Sequence, residues 1–341
     1  MPRSRDRHPT LADVARAAGV STATVSRCLN APDRVSGATR AAVMAAVQGL
    51  GYAPNHAAQS LAASRSDTFG VIIPTMDNAV FARGIQTFQE TLGAAGVNLL
   101  IASSAYDAAE EEAQIRTLVA RGADALLLIG YARAPEIYAY LARRRVPTLV
   151  AWAWAPAAPC PAVGFDNERA MREMTEAVLA RGHRRLAMIS ARTADNDRSA
   201  GRVAGFRAQT RAAGIDPAAL PVTETVYSIA HGRTAAADLL AGPDRPTAIL
   251  CGNDVLAMGA MMAARDAGLS VPGDLSITGF DDIELAEVAI PSLATVHVPH
   301  RQMGRRAAET LLAMAREGAA PDSVALPTRL CLRDSLGPPP A

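Results

Sequence analysis

The sequence predicts a chain in two parts. A small all-α module comes first, and an α/β body of two lobes follows, each lobe built on a doubly wound parallel sheet. Three observations carry this. Between Thr10 and Leu50, apolar residues recur at helical spacing, punctuated by cap and turn residues. From Thr68 onward, continuous apolar runs alternate with amphipathic stretches, which is the pattern of parallel strands covered by helices on both faces. Charge is also divided: residues 1–66 hold eight Arg against three Asp, although the whole chain is only +1. A basic head on a mildly acidic body fits a polyanion-binding module joined to something else.

The first element opens at Thr10, which with Asp13 three residues later forms a capping box. Leu11, Val14, Ala15 and Ala18 then make one apolar stripe, and Gly19 stops the helix. Ser21 caps a second helix in which Val25 and Leu29 face inward, while Thr22, Ala23, Ser26 and Arg27 face out. Two short helices joined by a tight glycine turn form a helix-turn-helix, whose second helix can enter the DNA major groove. An ordinary α-hairpin would not need so small and polar an outer face, nor basic flanks. Ser36 caps a third helix with Val43, Ala46, Val47 and Leu50 inward, ended by Gly51. Pro54 biases the chain before it towards an extended linker. Asn55 then caps a short helix, HAAQSLAAS, with Leu61 outward at its centre. Two helical turns are marginal alone in water, so this helix forms only when docked.

In the body, strands are expected at 69–73, 98–102, 125–129, 147–152, 163–165, 186–190, 222–227, 248–251 and 276–280. Helices are expected at 79–95, 109–121, 135–144, 168–181, 199–213, 232–241 and 254–267. These units are too many for one sheet. The tail GPPPA is expected to be disordered.

Several function classes fall away. No run of about 18 apolar residues predicts a transmembrane helix. The opening MPRSRDRHPT has no apolar stretch of the kind a secretory signal needs, so a cytoplasmic protein is expected. Cys28, Cys160, Cys251 and Cys331 are far apart, with no C-x-x-C and no His at ligand spacing, so no metal and no disulfide framework is expected. No phosphate loop or nucleophile–base pair points to a cofactor or to catalysis. His183, His297 and His300 have no partners at meaningful spacing.

The run TLADVARAAGVSTATVSRCLN, then VSGATR at 35–40 and GYAPN at 51–55, resembles the headpiece of the LacI/GalR (lac repressor/galactose repressor) family of bacterial regulators. The resemblance continues through VGFDN, RGHRRLAMIS, GRVAGF, CGNDVLAMGA and ITGFDD, and so through nearly the whole chain. It implies a helix-turn-helix headpiece over 1–54, a hinge helix and linker over 55–66, and a periplasmic-binding-protein-like body over 67–341 for effector binding and dimerisation. The first lobe would span about 67–165 and 292–325, and the second about 166–291 and 326–341, with crossings near Asp166, Pro291 and Leu326. In the family, paired hinge helices push a leucine into the minor groove, and Leu61 stands at that position. Such a wedge unstacks one step and gains a bent duplex with more contacts.

The resemblance implies residue roles as well. Thr22, Ala23 and Arg27 would face bases, Arg27 being best suited to guanine. Thr10, Ser36, Thr39, Tyr52 and Asn55 match phosphate-contacting positions, which set register without reading sequence. Ser21 and Asn30, at the two ends of the second helix, complete the DNA-facing set. In the body, ligands collect at the carboxyl ends of parallel strands. Those ends carry Phe81, Trp152 with Trp154, Tyr227, Asn253 with Asp254, and Asp281 with Asp282, in a chain only 4% aromatic. Aromatic faces beside carboxylates and an Arg suit a sugar. Arg202, Asn253 and Asp281 match effector-contacting positions in the family. Asp281–Asp282 could in principle share a proton as a catalytic pair, but adjacent residues of an extended segment point in different directions.

The expected protein is thus a dimeric transcriptional regulator and repressor, not an enzyme. Its operator affinity would answer to a small molecule, a sugar or sugar derivative, held between the lobes. The competing reading is a sugar-binding or sugar-modifying protein with an appended DNA-binding module.

Overall fold

The computed structural model describes residues 9–53, 65–77, 80–156, 158–319 and 321–340. Contacts divide the chain after Ser66 into two units.

The first unit holds α1 (Leu11–Ala18), α2 (Thr22–Asn30) and α3 (Gly37–Leu50). Both halves of the capping box form: the Asp13 backbone N–H donates to the Thr10 hydroxyl, and the Thr10 N–H donates to Asp13 Oδ2 at 2.9 Å. Gly19 adopts the left-handed conformation, φ +68°, that a β-carbon would resist. Val14, Ala15, Val25, Cys28 and Val43 are the buried core. Leu29 packs against this core, and Cys28, buried beside Val25, belongs to it too. One inward assignment needs correction. Leu50 is 39% exposed. Val47, one position earlier on the stripe, still packs against the core, so the inward face of α3 ends there. The expected linker at Pro54, and Asn55 and Leu61 of the expected hinge helix, lie outside the described residues.

In the second unit, the first sheet contains β1 (Thr68–Ile73), β2 (Asn98–Ser103), β3 (Ala125–Ile129), β4 (Thr148–Ala151) and β5 (Ala162–Gly164). They are crossed by α4 (Ala82–Ala94), α5 (Ala108–Ala120) and α6 (Pro135–Arg143). The second lobe alternates α7 (Asn167–Ala180), β6 (Leu186–Ala191), α8 (Asp197–Ala212), β7 (Val222–Thr225), α9 (Ile229–Ala241), β8 (Ala248–Cys251), α10 (Asp254–Asp266) and β9 (Ser276–Thr278). All strand pairs in both sheets are parallel, in the orders β2-β1-β3-β4-β5 and β7-β6-β8-β9. Each sheet therefore reverses its winding beside its first strand, and ligands of such sheets sit at that reversal. β3 and β4 are buried at every position, as strands covered on both faces must be.

The last part of the chain follows with α11 (Glu284–Val288), β10 (Thr295–His297), α12 (His300–Glu317), β11 (Val324–Ala325) and β12 (Arg329–Cys331). α12 packs on α4, and β11 adds to β5, so both belong to the first lobe. The second crossing differs from its expected place. Residues 294–297 run along the second lobe, where the Gly279 N–H donates to the Ala294 carbonyl and the Asp281 N–H to that of Val296. β10 also pairs with β12, antiparallel. The crossing therefore falls between His297 and α12, not near Pro291. The tail, expected to be disordered, packs on the body over its described residues 337–340. The Gly337 N–H donates to Ser276 Oγ at 3.0 Å, and its carbonyl lies 3.0 Å from His183 Nε2. Among the described residues, no helix is long and apolar enough to cross a membrane.

Candidate functional site

Each of α1, α2 and α3 in the first unit starts at a polar cap. Ser21 and Ser36 accept from the backbone N–H groups of Thr24 and Thr39, capping α2 and α3. Each hydroxyl also contacts the Thr hydroxyl three residues on, at 2.9 Å. The Thr10 hydroxyl donates to Asp13 Oδ2. Three capped helix N-termini place backbone N–H groups and hydroxyls where phosphate oxygens can bind. Thr22, Ala23, Arg27 and Asn30 are exposed along α2, and Thr39 in α3 and Tyr52 just after it are half-buried. The Arg27 guanidinium has no hydrogen-bond or ion-pair partner among the described residues, while its carbonyl accepts from the Ala31 N–H at the end of α2. Val25 and Cys28 anchor the opposite side of α2, so the small outward residues let its backbone approach a surface closely.

In the second unit, the two sheet reversals face one another across a cavity of about 320 Å³, part of it open to solvent. Phe81, Trp152, Arg202, Tyr227, Asn253 and Asp281 line it, together with Val80, Tyr106 and Arg198. Phe81, just ahead of α4, meets Trp152 edge-on at 5.3 Å. Trp152 is 1% exposed, so it forms the floor of the cavity and not an open stacking platform. Its indole N–H donates to His300 Nδ1 at 3.2 Å. An indole nitrogen can only donate, so the His300 proton sits on Nε2, which donates to the Asp281 carbonyl at 3.2 Å. Burial pushes His300 down to about 4 and keeps it neutral.

A second chain of polar groups ties the lobes. Asn167 donates to the Trp152 carbonyl at 3.1 Å and accepts from Arg202 Nε at 2.9 Å. Arg202 also donates to the Gly252 carbonyl, and its guanidinium lies 3.9 Å above the Phe280 ring. Its remaining nitrogen is 3.7 Å from Asp281 Oδ1. Both Asp281 oxygens are buried with no hydrogen-bond partner among the described residues. Burial raises this carboxyl to about 6, against the pull of Arg202 and Arg198. A buried acceptor without a hydrogen bond is costly unless a donor arrives to meet it. Asn253 has its Oδ1 committed to capping α10, accepting from the Leu256 N–H at 2.9 Å. Asp254 is structural: its carboxylate accepts from the Ile283 N–H and the Thr295 hydroxyl.

Some expectations change here. Trp154 lies apart from this cavity, against the Pro-rich loop. None of the three histidines is without partners: His183 contacts Thr247, His297 contacts Asp282, and His300 bridges Trp152 and Asp281. Asp281 and Asp282 do diverge, one to the cavity and the other to Arg333 at 2.7 Å. Tyr106, Arg198 and His300 were not foreseen as part of the site. Tyr106 follows β2 and faces Tyr227 from the other lobe at 5.9 Å, so the strand-end rule that selected Tyr227 also applied to it. Arg198, at the start of α8, donates to the Ile129 carbonyl at the end of β3. Beside it, Asp197 accepts from the Tyr131 N–H at 2.7 Å. Those contacts between lobes carry no local sequence signal.

Known proteins match both units. Residues 10–55 match the model for bacterial regulatory proteins of the lacI family, and residues 175–336 match that for the periplasmic binding protein-like domain. The HTH-type transcriptional regulator GntR of Escherichia coli is 33% identical over 314 residues, covering 92% of this chain and 93% of that protein. A LacI-family transcriptional regulator from Silicibacter pomeroyi superposes with a TM-score of 0.88 at 27% identity, over 96% of this chain and 99% of the other. The lac repressor dimer bound to operator and the anti-inducer ONPF superposes at 0.86 and 27% identity, over 97% of this chain and 100% of the other. These relatives are named as regulators, not as enzymes. The chain therefore belongs to the lacI family of bacterial regulatory proteins and is a DNA-binding transcriptional regulator with a periplasmic-binding-protein-like body.

Proposed function

We propose that the protein is a homodimeric repressor whose hold on its operator is set by a sugar or sugar derivative bound between the two lobes. The observation that carries this reading is the cavity at the paired sheet reversals. There Arg198, Arg202 and the Asp281 carboxylate, which has no hydrogen bond among the described residues, meet Phe81, Trp152, Tyr106 and Tyr227. A polyol supplies what this cavity lacks: hydroxyl donors for both Asp281 oxygens, acceptors for the guanidinium groups, and an apolar C–H face for the rings.

Ser21, Thr22, Ala23, Arg27 and Asn30 would lie in the major groove. Thr10, Ser36, Thr39, Tyr52 and Asn55 would hold phosphates, and Leu61 would wedge into the minor groove. Apolar side chains exposed on β2 (Leu100, Ile101) and around α11 (Leu285, Val288, Ile290) support self-association. Two copies would then read two half-sites of a near-palindrome. The lac repressor structure named above, a dimer with operator and anti-inducer, supports the same arrangement. A ligand shifts lobe closure only as far as it prefers one lobe arrangement over the other.

A thermal-shift panel of sugars, sugar acids and purines tests the site. A sugar-class compound should raise the melting temperature of the wild type and leave Arg202→Ala unmoved. A panel without a sugar-class hit, or a hit unaffected by that substitution, would overturn the assignment.

A further inference from the structure

Behind the cleft lies a cluster that the proposed function does not use. Asp282 Oδ2 is 2.7 Å from His297 Nδ1 and 3.5 Å from Cys331 Sγ. Oδ1 of the same carboxylate accepts from Arg333 at 2.7 Å, and that Arg also donates to the Leu293 carbonyl. Arg329 lies 3.2 Å from the Cys331 sulfur. One nitrogen, one oxygen and one sulfur thus fall within 4.8 Å of each other. They come from the turn after β9, the end of β10 and the end of β12. His297 and Cys331 lie 15 and 49 residues from Asp282, which is why no ligand spacing shows in the sequence.

We infer that Asp282, His297 and Cys331 form a binding site for a borderline-soft divalent transition-metal ion of the Zn²⁺ class. Imidazole with thiolate selects such ions over the hard, oxygen-seeking ones. The spacing fits. With Zn–S of about 2.3 Å and Zn–O of about 2.0 Å, a tetrahedral ion separates sulfur from oxygen by about 3.5 Å. The observed Sγ–Oδ2 distance is 3.5 Å. The imidazole must withdraw by about 0.6 Å to reach its own tetrahedral separation from that oxygen. His297 has the freedom to do so, since its side chain is 32% exposed. In the β10–β12 register His297 faces Arg329 and Thr295 faces Cys331, so the two ligands are diagonal neighbours across one strand pair. Arg333 already orients the carboxylate, as outer-shell partners do in metal sites. An ion pair alone would need only Asp282 and Arg333. Cys331 adds a thiol that donates to the same carboxylate oxygen at 3.5 Å and, once deprotonated, is placed to serve as a ligand.

Three protein ligands leave a fourth position for water. Binding replaces the Cys331 proton and the His297–Asp282 hydrogen bond with metal bonds: the thiol proton leaves to solvent, and the neutral imidazole shifts its proton from Nδ1 to Nε2 by exchange with solvent, which frees Nδ1 to bind the ion. β10 runs into one lobe crossing and β12 follows the next, so the ion would staple two crossing segments and give the body a second input.

The test uses the full-length protein, purified free of metal and titrated with Co²⁺ as a spectroscopic stand-in for Zn²⁺. One equivalent per chain should produce the thiolate-to-cobalt band in the near ultraviolet with strong four-coordinate visible bands, and Zn²⁺ should remove both. Cys331→Ser should abolish the thiolate band, His297→Gln should weaken binding at least tenfold, and Cys160→Ser should change neither. His297→Gln leaves the Asp282–Arg333 pair in place, so it decides the matter even if Cys331→Ser fails to fold. No thiolate band at one equivalent, a band that survives Cys331→Ser, or full affinity in His297→Gln would each overturn the site.

Discussion

Burial lifts the Asp281 carboxyl from the ordinary 3.8 to about 6, while it drops His300 from 6.5 to about 4. The two act on stability with opposite signs. Folded Asp281 holds its proton more tightly than the unfolded chain does, so its contribution falls as pH rises from about 3.8 to about 6 and stays reduced above. That loss is about 3 kcal/mol at neutral pH. Folded His300 resists its proton, so its contribution is intact above 6.5 and is lost as pH falls towards about 4. In wild type the two offset one another on acidification. Asp281→Asn removes one of them. The variant should be more stable than wild type at pH 7.5, by up to about 3 kcal/mol. It should also lose stability more steeply between pH 6.5 and 4, as followed by urea denaturation at each pH. Equal stability at pH 7.5 would mean that the carboxylate is not held ionised against its surroundings. Asp281 itself could be picked from a strand end in the sequence. His300 could not, because its two partners, Trp152 and Asp281, come from segments far away along the chain.

Elements were legible where local chemistry decides them. Thr10, Ser21, Ser36, Gly19 and Gly51 mark the ends of α1, α2 and α3, and ALLLI and AILC mark β3 and β8 residue for residue. Ser21→Ala should therefore cost the headpiece about 1 kcal/mol in thermal unfolding, the usual worth of an N-cap. Arg27→Ala on the exposed side of α2 should cost about 1–3 kcal/mol of operator affinity and relax one base position. Equal weakening on every sequence would move Arg27 from base reading to phosphate. What the sequence hid at this scale is the last part of the chain. α12 is held by its crossing of α4, where a β-carbon on Gly304 would sit 2.0 Å from the Gly84 carbonyl oxygen. Gly304→Ala should push these helices apart and destabilise the body by about 1–3 kcal/mol or more, read by calorimetry. A tail of three prolines reads as disorder by composition. It is ordered because Gly337 pairs with Ser276 and lies beside His183, contacts set by tertiary packing alone.

At the scale of the whole molecule, the basic excess of residues 1–66 belongs to the unit with the helix-turn-helix, and the acidic excess to the unit with the cavity. DNA binding should accordingly weaken steeply with salt, through release of counterions from phosphates. The division of labour was legible in composition, since charge and periodicity both change near Thr68. The route of the chain between lobes was not fully so, because Pro291 looked like a boundary while backbone pairing carries β10 on beside β9. The central claim is that occupation of the cavity governs the hold on DNA. Its most direct measurement is the affinity of full-length protein for its own promoter duplex, by fluorescence anisotropy at fixed salt, as the thermal-shift hit is raised to saturation. The account predicts a change of about 5- to 150-fold in wild type, the range of a 1–3 kcal/mol coupling, and none in Arg202→Ala. An affinity that stays constant while the ligand saturates the wild-type body would contradict it.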